Sequence, residues 1–294
     1  MIRPLLLSAM TAALVLPATA PPAEARNRRS GGKLLLTNGV STVEGSAGGG
    51  LATWAVVAGN ETRDGIGGAG HATLVALPDF DLETAGAAIG VNDRVELSYA
   101  RQSFDTRAAG AALGLGRGFT FRQHVIGAKL RVAGDAVFDQ DRWLPQIAIG
   151  VQHRINDRGA TVRAVGARAS RGTDVYVAAT KLLLARSLLL DGTLRWTKAN
   201  QFGLLGFGGD RRAGHGVQAE GSAAYMLSRR LVVGAEYRSK PDNLGFAREQ
   251  DAWDAFAALA VTRHLSVTAA YVDLGDIATV RDQRGAFLSI QGAF

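Results

Sequence analysis

Apolar and polar residues alternate with a period of two along much of this 294-residue chain. Side chains of a strand point alternately to opposite faces, so such runs predict strands with one apolar and one polar face. The stretch from Arg284 to Phe294 does this most plainly. Ala286, Leu288, Ile290, Gly292 and Phe294 fall on one face, and Phe287, Ser289, Gln291 and Ala293 on the other. Comparable runs predict strands over residues 34–45, 51–60, 66–77, 80–91, 94–104, 119–133, 143–155, 173–185, 188–200, 216–227, 231–240, 252–262, 265–275 and 284–294. Most are near the length of about ten residues with which a tilted strand crosses the hydrocarbon layer of a membrane. The pattern predicts an all-β, antiparallel transmembrane β-barrel of about 14 strands, with about 12 as the runner-up because bacterial barrels favour even counts. The first span is the weakest, and the stretch up to Gly50 has folding into the lumen as its alternative.

Two hairpins make the pattern testable by register. Pairing Ile126 with Val151, Ala128 with Ile149 and Leu130 with Ile147 gathers apolar residues on one face. Gln123, Lys129, Gln146 and Gln152 then share the other. Across Ser228-Arg229-Arg230, Tyr225 meets Val233 and Ala223 meets Ala235, while Glu220 meets Arg238 and Ser222 meets Glu236. One register sorts both strands of each pair, which chance alternation rarely achieves.

The connections alternate in length. Those at 92–94, 185–187, 228–230 and 262–264 are tight, and those at 105–118, 156–172, 201–215, 241–251 and 276–283 are longer. Short periplasmic turns and long outer loops give this asymmetry in barrels, and the C-terminus then lies on the periplasmic side. The 134–142 turn is long for that side and the 78–79 connection short for the other. Trp54, Tyr99, Trp143, Trp196, Tyr225, Tyr237, Trp253 and Tyr271 fall near strand ends, as an interfacial girdle requires.

Met1 to Ala25 has the parts of a cleaved signal peptide: Arg3, an apolar run from Leu5 to Leu16, and the small-x-small site Ala23-Glu24-Ala25. The domain plan is a signal peptide over 1–25, a Gly-rich N-terminal segment over 26–50, and the barrel over 51–294 or from 34. The chain has no Cys, which excludes disulfides and thiolate chemistry. Its net charge of +7 comes mainly from Arg. A positive lumen or rim attracting anions or lipopolysaccharide phosphates would follow, although a compositional bias toward Ala, Gly and Arg produces the same excess. Nucleic-acid binding suits an exported chain poorly.

Candidate chemistry is sparse. Gly65, Gly67 and Gly70 spell GxGxxG, but a strand follows where a dinucleotide site needs a helix. His124 and His153 face each other in the first register above, on the apolar face and without the further ligands a zinc site needs. No His is placed to form a catalytic triad, so no catalytic, cofactor-binding or metal residue is assigned. Transport chemistry would sit on the inward face. Glu96, Lys129, Arg131, Lys181, Asp191, Arg195, Glu220, Glu236 and Arg238 are the candidate lumen charges. There they either set ion selectivity or knit the lumen shut. The Gly-rich loops 203–210 and 108–118 are candidates to constrict or cover the mouth.

Several segments resemble an uncharacterised bacterial family, domain of unknown function 3034. They are GVSTVEGSAGGGLATWAV (39–56), DQDRWLPQIAIG (139–150), TKANQFGLLGFGGD (197–210), EYRSKPDNLGFA (236–247), AYVDLGDIAT (270–279) and RDQRGAFLSIQGAF (281–294). The resemblance implies an exported outer-membrane β-barrel and brings no activity with it. The final strand is similar to the closing strand of such barrels. Leu288, Ile290, Gly292 and Phe294 are therefore expected to be the signal read by the barrel assembly machinery.

The expected protein is a porin-like channel of the bacterial outer membrane passing small solutes, with a preference for anions, in contact with outer-membrane lipids and lipopolysaccharide. The alternative is a non-transporting, structural or lipid-binding barrel with a filled lumen. An outer-membrane enzyme is the disfavoured third reading.

Overall fold

The computed structural model describes residues 33–61 and 63–294. The signal peptide expected over 1–25 lies outside them. Two short strands, β1 (Val40–Ser41) and β2 (Ala47–Gly48), pair with each other. Twelve longer strands follow. They are β3 (Ile66–Ala76), β4 (Asp81–Val91), β5 (Val95–Asp105), β6 (Thr120–Ala133), β7 (Gln146–Asn156) and β8 (Arg171–Leu183). The circuit continues through β9 (Leu188–Thr197), β10 (Gly216–Met226), β11 (Leu231–Arg238), β12 (Ala252–Ala260), β13 (Leu265–Asp273) and β14 (Arg284–Ala293). Each pairs antiparallel with its sequence neighbour. β14 returns to β3, with Leu288 opposite Leu74 and Gln291 opposite His71, so the barrel closes without an edge.

The expected 14 strands reduce to 12. The spans 34–45 and 51–60 do not join the wall; they lie inside it, and the barrel begins at Ile66 rather than at 51 or 34. Alternation could not separate the two cases, because a segment threaded through a lumen also meets different surroundings on its two sides. The decisive local feature is glycine. Gly45 and Gly50 have φ of +90° and +136° and turn the chain back where a wall strand would run straight.

The β10–β11 register is the expected one: Glu220 opposite Arg238, Ser222 opposite Glu236 and Tyr225 opposite Val233. The β6–β7 register is displaced by two. Ile126 faces His153, Ala128 faces Val151 and Leu130 faces Ile149, with a bulge between Arg131 and Ala133. A two-residue slip keeps every side chain on its face, so facing alone could not detect it. It separates His124 from His153. His124 Nδ1 instead lies 2.8 Å from the Tyr99 hydroxyl, and His153 Nδ1 lies 2.8 Å from Thr173 Oγ1.

The faces are inverted relative to a water-soluble protein. Leu194 is 55% exposed while its neighbour Arg195 is 1% exposed. Ile89, Leu97, Ile126, Ile149, Val177 and Leu288 continue the exposed apolar surface. A surface of this extent requires an apolar solvent. Tyr99, Trp196, Tyr225, Tyr237, Trp253 and Tyr271 lie on it, whereas Trp54 is buried in the lumen. Among the described residues no helix is long and apolar enough to cross a membrane. The tight connections and the C-terminus share one end, here called the base. The short 77–80 turn and the longer loops form the mouth, except the 134–145 turn, which lies at the base.

Candidate functional site: the plugged lumen

Residues 33–61 enter the lumen from the base and leave it there. Lys33 Nζ sits 3.2 Å from Glu61 Oε1 and 3.0 Å from Asp93 Oδ1. The Asn60 amide donates to the Phe294 carbonyl at 2.9 Å. From Thr37 to Ala58 every residue of this plug is buried. A buried main chain outside a ladder must find partners for its amides and carbonyls, and here wall side chains supply them. Near the base, Glu96 accepts from Ser46 Oγ at 2.7 Å and from the Ala58 amide at 2.8 Å. Lys129, 3.2 Å from Glu96, donates to the Val56 carbonyl at 2.7 Å. Higher up, the Ala55 amide donates to Thr180 Oγ1 at 2.7 Å, and Gln146 Nε2 to the Ala55 carbonyl at 2.8 Å. The Thr53 amide donates to Glu220 and Trp54 Nε1 to Ser222 Oγ, both at 2.8 Å. The Leu51 amide donates to Glu236 at 2.7 Å. A Cβ on Gly49 would lie 1.9 Å from that Glu236 carboxylate, so the contact needs glycine.

The plug's single buried carboxylate at this upper level, Glu44, meets three arginines. Arg154 Nη2 is 2.6 Å from Oε1. Arg238 places Nη1 on Oε2 and Nη2 on Oε1, each at 3.1 Å. Arg195 Nη2 is 4.0 Å from Oε2. On the wall, Asp174 pairs with Arg154, and Glu220 with Arg195 and Arg238.

Above the plug the filling changes character. The 198–215 loop turns inward, and Phe202, Leu204 and Leu205 pack with Val43 and Leu51 of the plug and with Phe104, Leu274 and Ile277. Gln123 Nε2 donates to the Phe202 carbonyl at 3.0 Å, and Asn156 Nδ2 to the Leu204 carbonyl at 2.8 Å, pinning the loop to the wall. The space left between plug tip and loop is about 20 Å³, room for about one water.

Of the lumen charges read from the sequence, Glu96, Lys129, Arg195, Glu220, Glu236 and Arg238 lie inside and contact the plug. Asp191 lies inside and accepts from the Thr180 hydroxyl. Arg131 sits at the base rim with Asp93 and Asp135. Lys181 is a correction. It lies on the outer face, opposite Leu190, and reaches to the Asp139 carbonyl in the base turn. On β8 it shares the outward face of Val175, Val177 and Ala179, opposite to Asp174 and Thr180, so the alternation of its own strand places it outside. Arg154, Asp174 and Asp254 were missed, although strict alternation places all three inward. Glu44 had no such signal, because its role exists only once the plug is inside. At the C-terminus Leu288 faces outward, and Phe294 pairs its main chain with Gly68 and stacks on His264, with ring centroids 5.6 Å apart.

A closed antiparallel barrel with an apolar outer belt and a polar, filled interior defines an integral-membrane barrel of the outer-membrane kind. Within that class the chain belongs to the family described as protein of unknown function (DUF3034), which matches residues 37–291. No curated protein matches it in sequence. Among solved structures it is similar to the KdgM porin in complex with disordered oligogalacturonate, at 10% identity and TM-score 0.50, over 77% of this chain and 99% of that one. The NanC porin follows at 10% identity and TM-score 0.47, over 78% and 99%. Outer membrane phospholipase A from Escherichia coli has 9% identity and TM-score 0.43, over 77% and 92%. At such identities the likeness is one of fold.

Proposed function

We propose that this is a porin-like barrel of the bacterial outer membrane, shut by its own N-terminal segment, which passes small solutes when that segment withdraws. The observation that carries the reading is how the plug is held. No wall strand pairs with it. Its main chain is bound by side chains such as Glu96, Lys129, Glu220 and Glu236, and water can replace each of those contacts as the plug leaves. Barrel assembly through the Leu288–Phe294 face and contact with lipid and lipopolysaccharide belong to the same reading.

The wall does not favour the anion preference expected from bulk charge. Withdrawal would expose Glu96, Asp174, Asp191, Glu220, Glu236 and Asp254 against Lys129, Arg154, Arg195 and Arg238. Six carboxylates against four cations favour cations as bulk carriers. The test is planar-bilayer current from refolded protein, with and without residues 34–60. Silence from the full chain and steps from the deletion, with a cation-side reversal potential in a salt gradient, are expected. Steady conductance from the full chain would refute closure, and an anion-side potential would refute the charge count.

A second reading, a permanently filled and non-transporting barrel, is favoured by the apolar seal at the mouth. A folded deletion variant that stays silent would select it. No catalytic role is proposed. His71, the histidine inside the wall, has no hydrogen-bond partner at either ring nitrogen and so lacks the orienting group a general base needs.

A further inference from the structure

The arginine cluster around Glu44 has a charge balance that the wall cannot complete alone. Arg154, Arg195 and Arg238 are each no more than 4% exposed. Two wall carboxylates, Asp174 and Glu220, face them, and the third comes from the plug. If the plug withdraws, one buried positive charge is left over at this level.

The cluster is also held in place without Glu44. Gln152 Oε1 accepts from Arg154 at 2.9 Å and from Arg195 at 2.6 Å, tying the two guanidiniums together. The Tyr176 ring lies 4.7 Å from the Arg195 guanidinium carbon. Arg154 Nε has no hydrogen-bond partner and is a spare donor. Arg238 meets Glu44 through both terminal nitrogens, the fork geometry that matches a carboxylate.

We propose that this cage is a binding site for a small carboxylate-bearing solute, and that Glu44 occupies it in the closed barrel as an internal stand-in. As a station for a passing solute the site rests on the gated reading above. Its chemistry does not, because the site can be emptied without opening the pore. The attraction is local: three guanidiniums converge on one carboxylate within a lumen whose wall carries more acid than base overall.

The first experiment is chemical rescue. Glu44→Ala removes a fragment the size of acetate. The measurement is the temperature at which the folded, fast-migrating form in detergent converts to the unfolded one. Acetate should raise it for Glu44→Ala, acetamide at the same concentration should not, and the unsubstituted protein should respond to neither. No response to acetate from folded Glu44→Ala, or an equal response from the unsubstituted protein, overturns the site. If Glu44→Ala does not fold, the barrel lacking residues 34–60 carries the same test with glutarate against glutaramide.

The second experiment is on that deletion barrel in a bilayer. Glutarate should interrupt its current, and Arg238→Gln in the same background should abolish the interruptions. Conduction without interruption by glutarate refutes the site and leaves the gate standing. A folded but silent deletion barrel refutes the gate, and the rescue experiment still decides the site.

Discussion

The lower and upper parts of the lumen are filled by different means. Below, a main chain is threaded between Glu96, Lys129, Thr180, Glu220 and Glu236 and held by hydrogen bonds, while its side chains Val40, Trp54 and Val56 share an apolar cluster with Leu182, Leu189 and Phe256. Above, Val43 and Leu51 meet Phe202, Leu204 and Phe104 in an apolar cluster. Hydrogen bonds to charged groups contribute about 1.5–3 kcal/mol each, and water can take the place of either partner. Apolar contacts are lost outright when water enters. The lower filling thus mixes exchangeable polar contacts with an apolar cluster, the upper one chiefly excludes water, and the plug takes part in both.

The largest effect that tests this contrast is deletion of residues 34–60. Bilayer recordings should turn from silence to discrete steps, and an unchanged silent trace from folded protein would show that the mouth seals by itself. Next is Glu44→Ala, which leaves three buried guanidiniums with two wall carboxylates. Removing one partner of a buried ion pair costs about 3–5 kcal/mol, to be read as a lower denaturation midpoint. A loss below about 1 kcal/mol, the exposed-pair range, would mean that the cage is hydrated.

Leu51→Ala probes the apolar side. Leu51 is 2% exposed, and a core Leu→Ala change costs about 2–5 kcal/mol. It should destabilise the protein and raise the frequency of brief openings, whereas a stability loss with no openings would separate the cluster from the gate. Gly49→Val should act on the polar side alone. Its side chain would collide with Glu236, so openings should increase with barrel melting little changed.

The smallest expected effect distinguishes base from mouth by pH. In the base turn, burial raises the Asp135 pKa, but the Phe138 and Val137 amides, Arg63 and Arg131 outweigh it and hold it at about 2. A lowered folded value contributes stability that is present above about 3.8, the ordinary Asp range, and is lost as pH falls toward the folded value. In the mouth loop, burial outweighs the partner Lys240, 3.4 Å away, and raises Glu249 to about 7. A raised carboxylate has the opposite sign: its folded form favours the proton, so stability falls as pH rises from about 4.5 to 7. Melting profiles of Asp135→Asn and Glu249→Gln should each lose their own window. Loss of the same window in both would contradict the assignment.

Much of this was legible in the residues. The twelve wall strands, their faces, the short and long connections and the Glu220–Arg238 pairing follow from a period of two, because a strand has only two faces and a lipid-facing one must be apolar. Arg154 and Asp174 were readable by the same rule. Lys181 was readable as well, since on β8 it alternates with the inward Asp174 and Thr180. The β6–β7 register was not, since the pairing lies two residues from the expected one and a slip of two leaves every face unchanged.

By itself, then, the sequence determined a membrane barrel, because alternation, strand length and the inverted faces are local properties of consecutive residues. The tertiary structure alone decided that the barrel is shut. Whether 34–60 becomes wall or filling depends on partners such as Arg154, Arg195 and Arg238 on three separate strands. Those partners are brought around Glu44 only when the sheet closes.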